Sequence, residues 1–183
     1  MKEFTMQDAV LSFWFEEIEP QLWWQKNADF DAEIERRFSA LYNQAYSGEL
    51  YGWRETPAGS LAEIIVLDQF SRNMYRDTPA AFASDPLALA LAQTAVAKGF
   101  DHQLPEVQRS FLYMPYMHSE SAVIHTVALR LFEALGNAEN LDFEVKHKAI
   151  IDRFGRYPHR NAILGRTSTA QELAFLQEPN SSF

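Results

Sequence analysis

Residues 61–72 read L-A-E-I-I-V-L-D-Q-F-S-R, which is the pattern of a helix buried on nearly all sides. At about 100° per residue, the apolar side chains of this stretch go almost all the way round the helix axis. Ser60 and Glu63 have the spacing of a capping box that would start it. Asp68 and Arg72 are one helical turn apart, on the same face. Because shielded charges need partners, we predict a shielded, partnered pair here.

The same helical periodicity continues on both sides of this stretch. Thr5 predicts the start of a helix that ends near Ile18, and Asn27 or Asp29 predicts the start of another that ends near Ala45. Further helices are predicted from Leu87 to Lys98, from Leu104 to Leu112, from Ser119 or Ser121 to Leu135, from about Leu141 to Phe154, and from Thr169, which forms a capping box with Glu172.

No strand pattern, linker or low-complexity segment interrupts these helices, and a chain of 183 residues suits one domain with a substantial core. We therefore predict a single all-α domain over residues 1–183, an antiparallel array of seven or eight helices. Residues 177–183 are expected to fray. No clean repeat of about 34 residues with tetratricopeptide consensus positions is found.

The composition narrows the class of protein. The chain is 47% hydrophobic and 22% charged, which is ordinary for a soluble globular protein. It has no cysteine, so it has neither disulfides nor a thiolate zinc site, which fits a cytoplasmic location. Residues 1–10 show no signal peptide, and no apolar run is long enough to cross a membrane. The net charge of -9 argues against nucleic-acid and anionic-membrane binding.

A second stretch concentrates positive charge in this acidic chain. Residues 153–166 read R-F-G-R-Y-P-H-R-N-A-I-L-G-R, with four arginines beside one acid, Asp152. Two glycines and a proline interrupt it, so we expect the arginines on turns and helix ends rather than along one solvated helix. Such a concentration of cations is typical of an anion-binding site or of a buried ion network.

Three motifs in this order resemble one known family. They are residues 67–76 (L-D-Q-F-S-R-N-M-Y-R), residues 114–120 (M-P-Y-M-H-S-E) and residues 154–169 (F-G-R-Y-P-H-R-N-A-I-L-G-R-T-S-T). The chain resembles the uncharacterised, mainly bacterial family catalogued as domain of unknown function 924, over nearly its whole length. The resemblance implies an all-α fold similar to a tetratricopeptide-like superhelix. It implies no activity, and it assigns no catalytic residues.

The charged residues of these motifs fit a pocket between helices for a small anionic ligand bearing phosphate or carboxylate. Arginine forks bind such groups through paired hydrogen bonds. Histidines and carboxyl groups could add acid–base catalysis, so the residues leave open whether the protein is an enzyme. The predicted ligand-binding residues are Arg72, Asn73, Arg76, Arg156, Arg160, Asn161 and Arg166, and the candidate catalytic residues are His159, His118, Asp68 and Glu120.

The alternative is a non-catalytic helical scaffold for protein–protein interaction, whose arginine cluster is a structural ion network. Asp68 and Glu120 would then neutralise arginines and pin the late turn to the central helix. Arginines that face an open cavity favour the ligand, whereas arginines saturated by carboxylates and backbone carbonyls favour the scaffold. Both hypotheses assume that the helix through Asp68 and the turn through His159 meet.

The remaining polar and aromatic residues predict no further site. Without cysteine or an H-E-x-x-H motif, we predict no metal and no cofactor. Trp14 and the Trp23–Trp24 pair are predicted to pack in an aromatic core rather than to form a sugar or base platform. His125 is expected to be packed with one hydrogen bond, and His102 and His147 to be exposed.

Overall fold

The structure is a computed structural model that describes residues 4–183, and it confirms the all-α prediction. The described residues form α-helices joined by short 3-10 and π-helical turns, with no strand among them. The α-helices are α1 (Met6–Ser12), α2 (Ala28–Tyr46), α3 (Pro57–Ile65), α4 (Ser71–Met74), α5 (Asp85–Ala97), α6 (Glu106–Met117), α7 (Ala122–Leu135), α8 (Ala138–Phe154) and α9 (Ala170–Phe175).

The central buried helix begins earlier than the sequence predicts. Its cap is Thr56, whose side chain accepts a hydrogen bond from the Gly59 N–H, and Pro57 occupies the first turn. The predicted capping box from Ser60 to Glu63 is therefore wrong. Ser60 is buried inside the helix, and the buried Glu63 carboxylate forms an ion pair outside it.

Helix α3 continues without a break through the π-helical turn Val66–Phe70 into α4. Counted as one run, these segments leave eight helices within residues 4–183, in agreement with the predicted seven or eight. The apolar side chains of residues 61–70 are all buried, as the circumferential apolar pattern predicts. This continuous run is therefore a buried central helix, and the surrounding elements pack against it.

The described chain divides into two compact units. The first comprises the residues through Arg76 together with Ala80–Pro115, and the second comprises Asp77–Pro79 and Tyr116–Phe183. The predictions of a single domain and of a tetratricopeptide-like superhelix stay predictions. Each unit has a core of its own.

Aromatic rings fill the core of the first unit. Phe70 and Phe38 lie 4.7 Å apart, centroid to centroid, and Phe13 contacts both rings. Trp14 packs edge-on against Phe70, at 5.5 Å, and is buried. Large rings at these spacings bury much apolar area and add favourable edge-to-face contacts, so the π-helical turn that follows α1 is held to α2 and to the central helix here.

The second unit is built on the packed pair α7 and α8. Gly136 ends α7 with a φ of 80°, a left-handed conformation that glycine adopts without steric cost, and Asn137 caps α8. Ile150, Ile151, Tyr157 and Phe175 form a buried cluster beside α8. Phe143 of α8 is 41% exposed, although it is apolar.

One apolar segment of the described chain, Pro79–Ala97, is long and apolar enough to pass a length-and-composition test for a membrane span. A third of it is buried inside the protein, and α5 accounts for 13 of its residues. Core helices of soluble proteins pass the same test, so this is weak evidence for a membrane span.

Candidate functional site

Arg72 forms ion pairs with two carboxylates, one of which belongs to the first residue of α5. Its two terminal nitrogens donate to the two Asp85 carboxylate oxygens over 2.8 and 2.9 Å. Nη1 also donates to the Asp68 carbonyl over 2.8 Å and lies 3.4 Å from the Asp68 carboxylate. Asp68 is buried, which confirms the predicted shielded pair. The fork of Arg72 is thus occupied by two acids of the same unit.

Asn73 and Arg76 share a single acid, Asp31, in the first turn of α2. Arg76 donates from Nε and Nη2 to the two carboxylate oxygens over 2.6 and 2.8 Å. The Asn73 amide donates to the same carboxylate over 2.8 Å. These bonds tie α4 to the N-terminal turn of α2, where a negative charge is also favoured by the helix dipole.

In the second unit, the Glu120 carboxylate accepts hydrogen bonds from both terminal nitrogens of Arg166, over 2.7 and 2.8 Å. It also accepts the backbone N–H of Tyr157 over 2.7 Å. Asn161 accepts from Arg166 Nε over 2.9 Å and donates to Ser168. Burial disfavours the charge of Glu120, but the hydrogen bonds from Arg166 and Tyr157 outweigh it, so the pKa of Glu120 lies below its usual value.

Arg156 makes a bidentate pair with Glu172 at the start of α9. Its Nε and Nη2 donate to the two carboxylate oxygens over 2.7 and 2.9 Å. Glu172 also closes the predicted capping box by accepting the Thr169 N–H over 2.7 Å. The hydrogen bond from Arg156 is the main reason that the pKa of Glu172 falls to about 2. One acid therefore caps α9 and binds the arginine segment to it.

Arg160 is buried in the second unit, beside Tyr157. It donates from Nη2 to the His118 carbonyl over 3.0 Å, and its guanidinium carbon lies 4.6 Å from the centre of the Tyr157 ring. The His159 ring lies 5.7 Å from the same tyrosine. These contacts fix the turn Pro158–Arg160 against the residues that follow α6.

The structure thus brings the predicted site residues together in two groups. Asp68, Arg72, Asn73 and Arg76 belong to the first unit, and His118, Glu120, Arg156, His159, Arg160, Asn161 and Arg166 belong to the second. Whether the helix through Asp68 meets the turn through His159 stays a prediction.

A buried polar network in the second unit was not expected from the sequence. The His125 ring nitrogens lie 2.8 Å from a Glu144 oxygen and 2.8 Å from the Ser119 carbonyl, and Nε2 lies 3.1 Å from the Tyr157 hydroxyl. A carbonyl only accepts, so Nε2 carries a proton, and Nδ1 and Glu144 share another. Burial raises the pKa of Glu144. His125 thus makes more than the one bond expected.

His147 was predicted to be exposed, and this prediction is wrong. It is only 5% exposed, and its Nδ1–H donates to the Phe143 carbonyl over 2.7 Å. Burial is the main reason that its pKa falls to about 3. Glu144, His147 and Ile151 share one helical face. The apolar Ile151 on that face was the sequence signal that His147 would be buried.

Three aromatic side chains of the first unit surround Phe111 and are here called the aromatic patch: Phe15, Trp23 and Trp24. Their ring centroids lie 5.5, 4.9 and 6.0 Å from that of Phe111. Trp14 is buried in the core as predicted, but Trp24 is 62% exposed, so its prediction as a core residue is wrong. The patch presents an indole face at the surface.

No metal-binding cluster accompanies these groups in residues 4–183. No set of three or more histidine, aspartate or glutamate side chains there is arranged to hold a metal ion. A cavity beside Arg54, Glu63 and Lys98 has room for about one water molecule.

Comparison with known proteins agrees with the fold. The family model described as "Bacterial protein of unknown function (DUF924)" matches residues 10–180. A solved structure of a protein of unknown function, ATU0120 from Agrobacterium tumefaciens, is similar with a TM-score of 0.90 and 37% sequence identity, over 94% of this chain and 97% of that chain. A search of curated proteins found no match. Since the family model spans nearly the whole sequence, this chain belongs to the DUF924 family of bacterial proteins.

Proposed function

We propose that this protein is a non-catalytic helical scaffold for protein–protein interaction, whose arginine clusters are structural. The observation that carries the proposal is the state of the predicted ligand-binding arginines. Four of them, Arg72, Arg76, Arg156 and Arg166, each direct two guanidinium nitrogens at one carboxylate of their own unit. A fork that is filled in this way is not offered to a phosphate or carboxylate ligand.

An anionic ligand would have to displace these carboxylates. Glu172 and Asp68 are buried, so a displaced carboxylate would stay shielded without its cation. Breaking a fully buried pair by removing one partner costs about 3–5 kcal/mol; these pairs are partly exposed to solvent, so a ligand would have to recover a smaller cost at each arginine that it took. The pairing therefore supports the structural role over the anion pocket, which remains the competing hypothesis.

The aromatic patch supplies a surface for a protein partner. Tryptophan is among the residues that contribute most to protein interfaces, and Trp24 exposes most of its surface while its ring stacks on the buried Phe111. Stacking on Phe111 holds the Trp24 indole in place, which lowers the conformational entropy lost on binding. A net charge of -9 attracts positively charged molecules, so the partner that fits is an apolar segment with a basic rim. The proposal retains the predicted cytoplasmic location.

Affinity purification with quantitative mass spectrometry tests the scaffold. The bait is compared as wild type, Trp24→Ala and Tyr51→Ala, the last being a matched loss of an exposed aromatic ring elsewhere in the first unit. A partner is expected to be retained by wild type and by Tyr51→Ala, lost with Trp24→Ala, and to bind the purified protein with the same pattern of affinities. If no protein is lost specifically with Trp24→Ala, the aromatic patch is not the partner-binding surface.

A thermal-shift screen with phosphate- and carboxylate-bearing metabolites tests the competing hypothesis. The scaffold predicts no saturable stabilisation by any of them. A concentration-dependent rise in Tm that disappears in Arg160→Ala, with the circular dichroism spectrum unchanged, would overturn the scaffold in favour of an anion pocket.

A further inference from the structure

Phe183 covers a group of aromatic side chains in the second unit. Its ring stacks on the His147 imidazole with the centroids 3.7 Å apart and the planes 23° apart. The Tyr157 and His159 rings meet it at steep angles, 79° and 81°, with centroids 6.1 and 5.6 Å away. One stacked ring and two steeply inclined rings therefore surround a single phenyl ring, and the two steep pairs have the edge-to-face geometry that aromatic quadrupoles favour.

The chain before Phe183 is folded so that this contact forms. Asn180 has a φ of 61°, a left-handed conformation that asparagine tolerates better than most residues. Ser181 is buried, and its hydroxyl donates to the Leu176 carbonyl over 3.2 Å. Residues 177–183, for which fraying is expected from the sequence, thus form a turn that returns the chain to α8.

The walls of this ring site are more firmly held than its occupant. His147 is oriented by its bond to the Phe143 carbonyl, and the buried Tyr157 hydroxyl donates to the Met117 carbonyl over 2.5 Å. Phe183 is 53% exposed, and its ring contacts those of His147, Tyr157 and His159. A ring that is only half buried can leave at a lower cost than the buried rings of His147 and Tyr157.

We propose that His147, Tyr157 and His159 form a binding site for the neutral phenyl ring of a ligand, and that Phe183 is an internal occupant which the ligand replaces. The requirement for a planar ring follows from the 3.7 Å stacking distance, which a branched aliphatic group cannot match over a whole face. The ligand ring is expected to be uncharged because it would stack on the apolar face of a buried imidazole. His147 is that imidazole, and its Nδ1–H is already donated to the Phe143 carbonyl. This site does not depend on the scaffold proposal.

NMR spectra of protein labelled in its histidines test the site. Phe183→Ala should move the His147 ring resonances, because the ring current of a stacked phenyl group is lost. Benzyl alcohol added to Phe183→Ala should move them back saturably, whereas wild type should need at least about tenfold more. The N-acetyl amide of phenylalanine is the second ligand, and tighter binding of it than of benzyl alcohol indicates an amino-acid side chain as the natural ligand rather than a free ring. Phe183→Leu, which keeps apolar bulk without a planar ring, should bind as Phe183→Ala does.

Phe4→Ala is the matched control, since it removes an exposed phenylalanine from the first unit and should behave as wild type. Equal responses of wild type and Phe183→Ala to both compounds, or no response of the His147 resonances in Phe183→Ala and Phe183→Leu, would overturn the proposal.

Discussion

Replacing Glu120 with glutamine should destabilise the second unit by about 2 kcal/mol. The carboxylate accepts three hydrogen bonds, two from Arg166 and one from the Tyr157 backbone. Hydrogen bonds to charged groups contribute about 1.5–3 kcal/mol, and glutamine keeps one of the two acceptor oxygens. Breaking a fully buried pair costs about 3–5 kcal/mol, but both side chains are 25% exposed, so solvent recovers part of the loss.

Urea unfolding followed by far-UV circular dichroism measures this change. Tryptophan fluorescence is a second signal that reports on the first unit, which contains Trp14, Trp23, Trp24 and Trp53. The control is Glu33→Gln, the same chemical change in a surface pair with Arg36, where the side chains are 39% and 70% exposed. We expect this control to lose less than about 0.5 kcal/mol.

The comparison of the two variants decides the role of Glu120. If Glu120→Gln loses no more stability than Glu33→Gln, the pair with Arg166 does not hold the arginine segment, and the structural interpretation of that cluster fails. A Tm drop of roughly 4–8 °C for Glu120→Gln, as about 2 kcal/mol implies for a chain of this size, supports it.

Three further predictions follow from individual contacts. The pKa of Glu172, about 2, lies below its usual 4.5, so its pairing stabilises the fold fully above pH 4.5 and progressively less as the pH falls toward 2. Urea midpoints measured across this range should decline, and Arg156→Gln should flatten the decline; an unchanged slope would contradict the assignment. Phe70→Ala should cost about 3–5 kcal/mol by urea unfolding followed by tryptophan fluorescence, because it empties the centre of the first unit's core, whereas Phe4→Ala should be near neutral. Gly136→Ala should cost about 1 kcal/mol in circular dichroism melts, since a Cβ is strained at a φ of 80° even though open space surrounds it; a neutral result would show that the turn relaxes.

Helix boundaries were readable from the sequence because capping is local. The Asn27 side chain bonds the N–H of Phe30, and Thr169 and Glu172 bond each other's backbone, all within three residues of the chain. The error at Ser60 has a local cause too, because Thr56 followed by proline starts the helix one turn earlier.

Burial could be predicted from the sequence only in part, because helical periodicity divides the residues of a helix into faces but does not show which face packs against the rest of the protein. On α8 the covered face contains Glu144 and His147 and leaves Phe143 exposed, contrary to apolar preference. Glu144 is tolerated there because α7 places His125 opposite it and supplies its hydrogen bond. No property of α8 alone indicates this partner.

The sequence by itself determined that the chain is helical, roughly where its helices begin and end, and that its arginines would need anionic partners. Only the tertiary structure decided which acids those are. Asp31 binds Arg76 across 45 residues of chain, and Glu120 binds Arg166 across 46. The physical reason is range: a cap is chosen by neighbours a turn away, whereas an ion pair is chosen by whichever elements the core packs together.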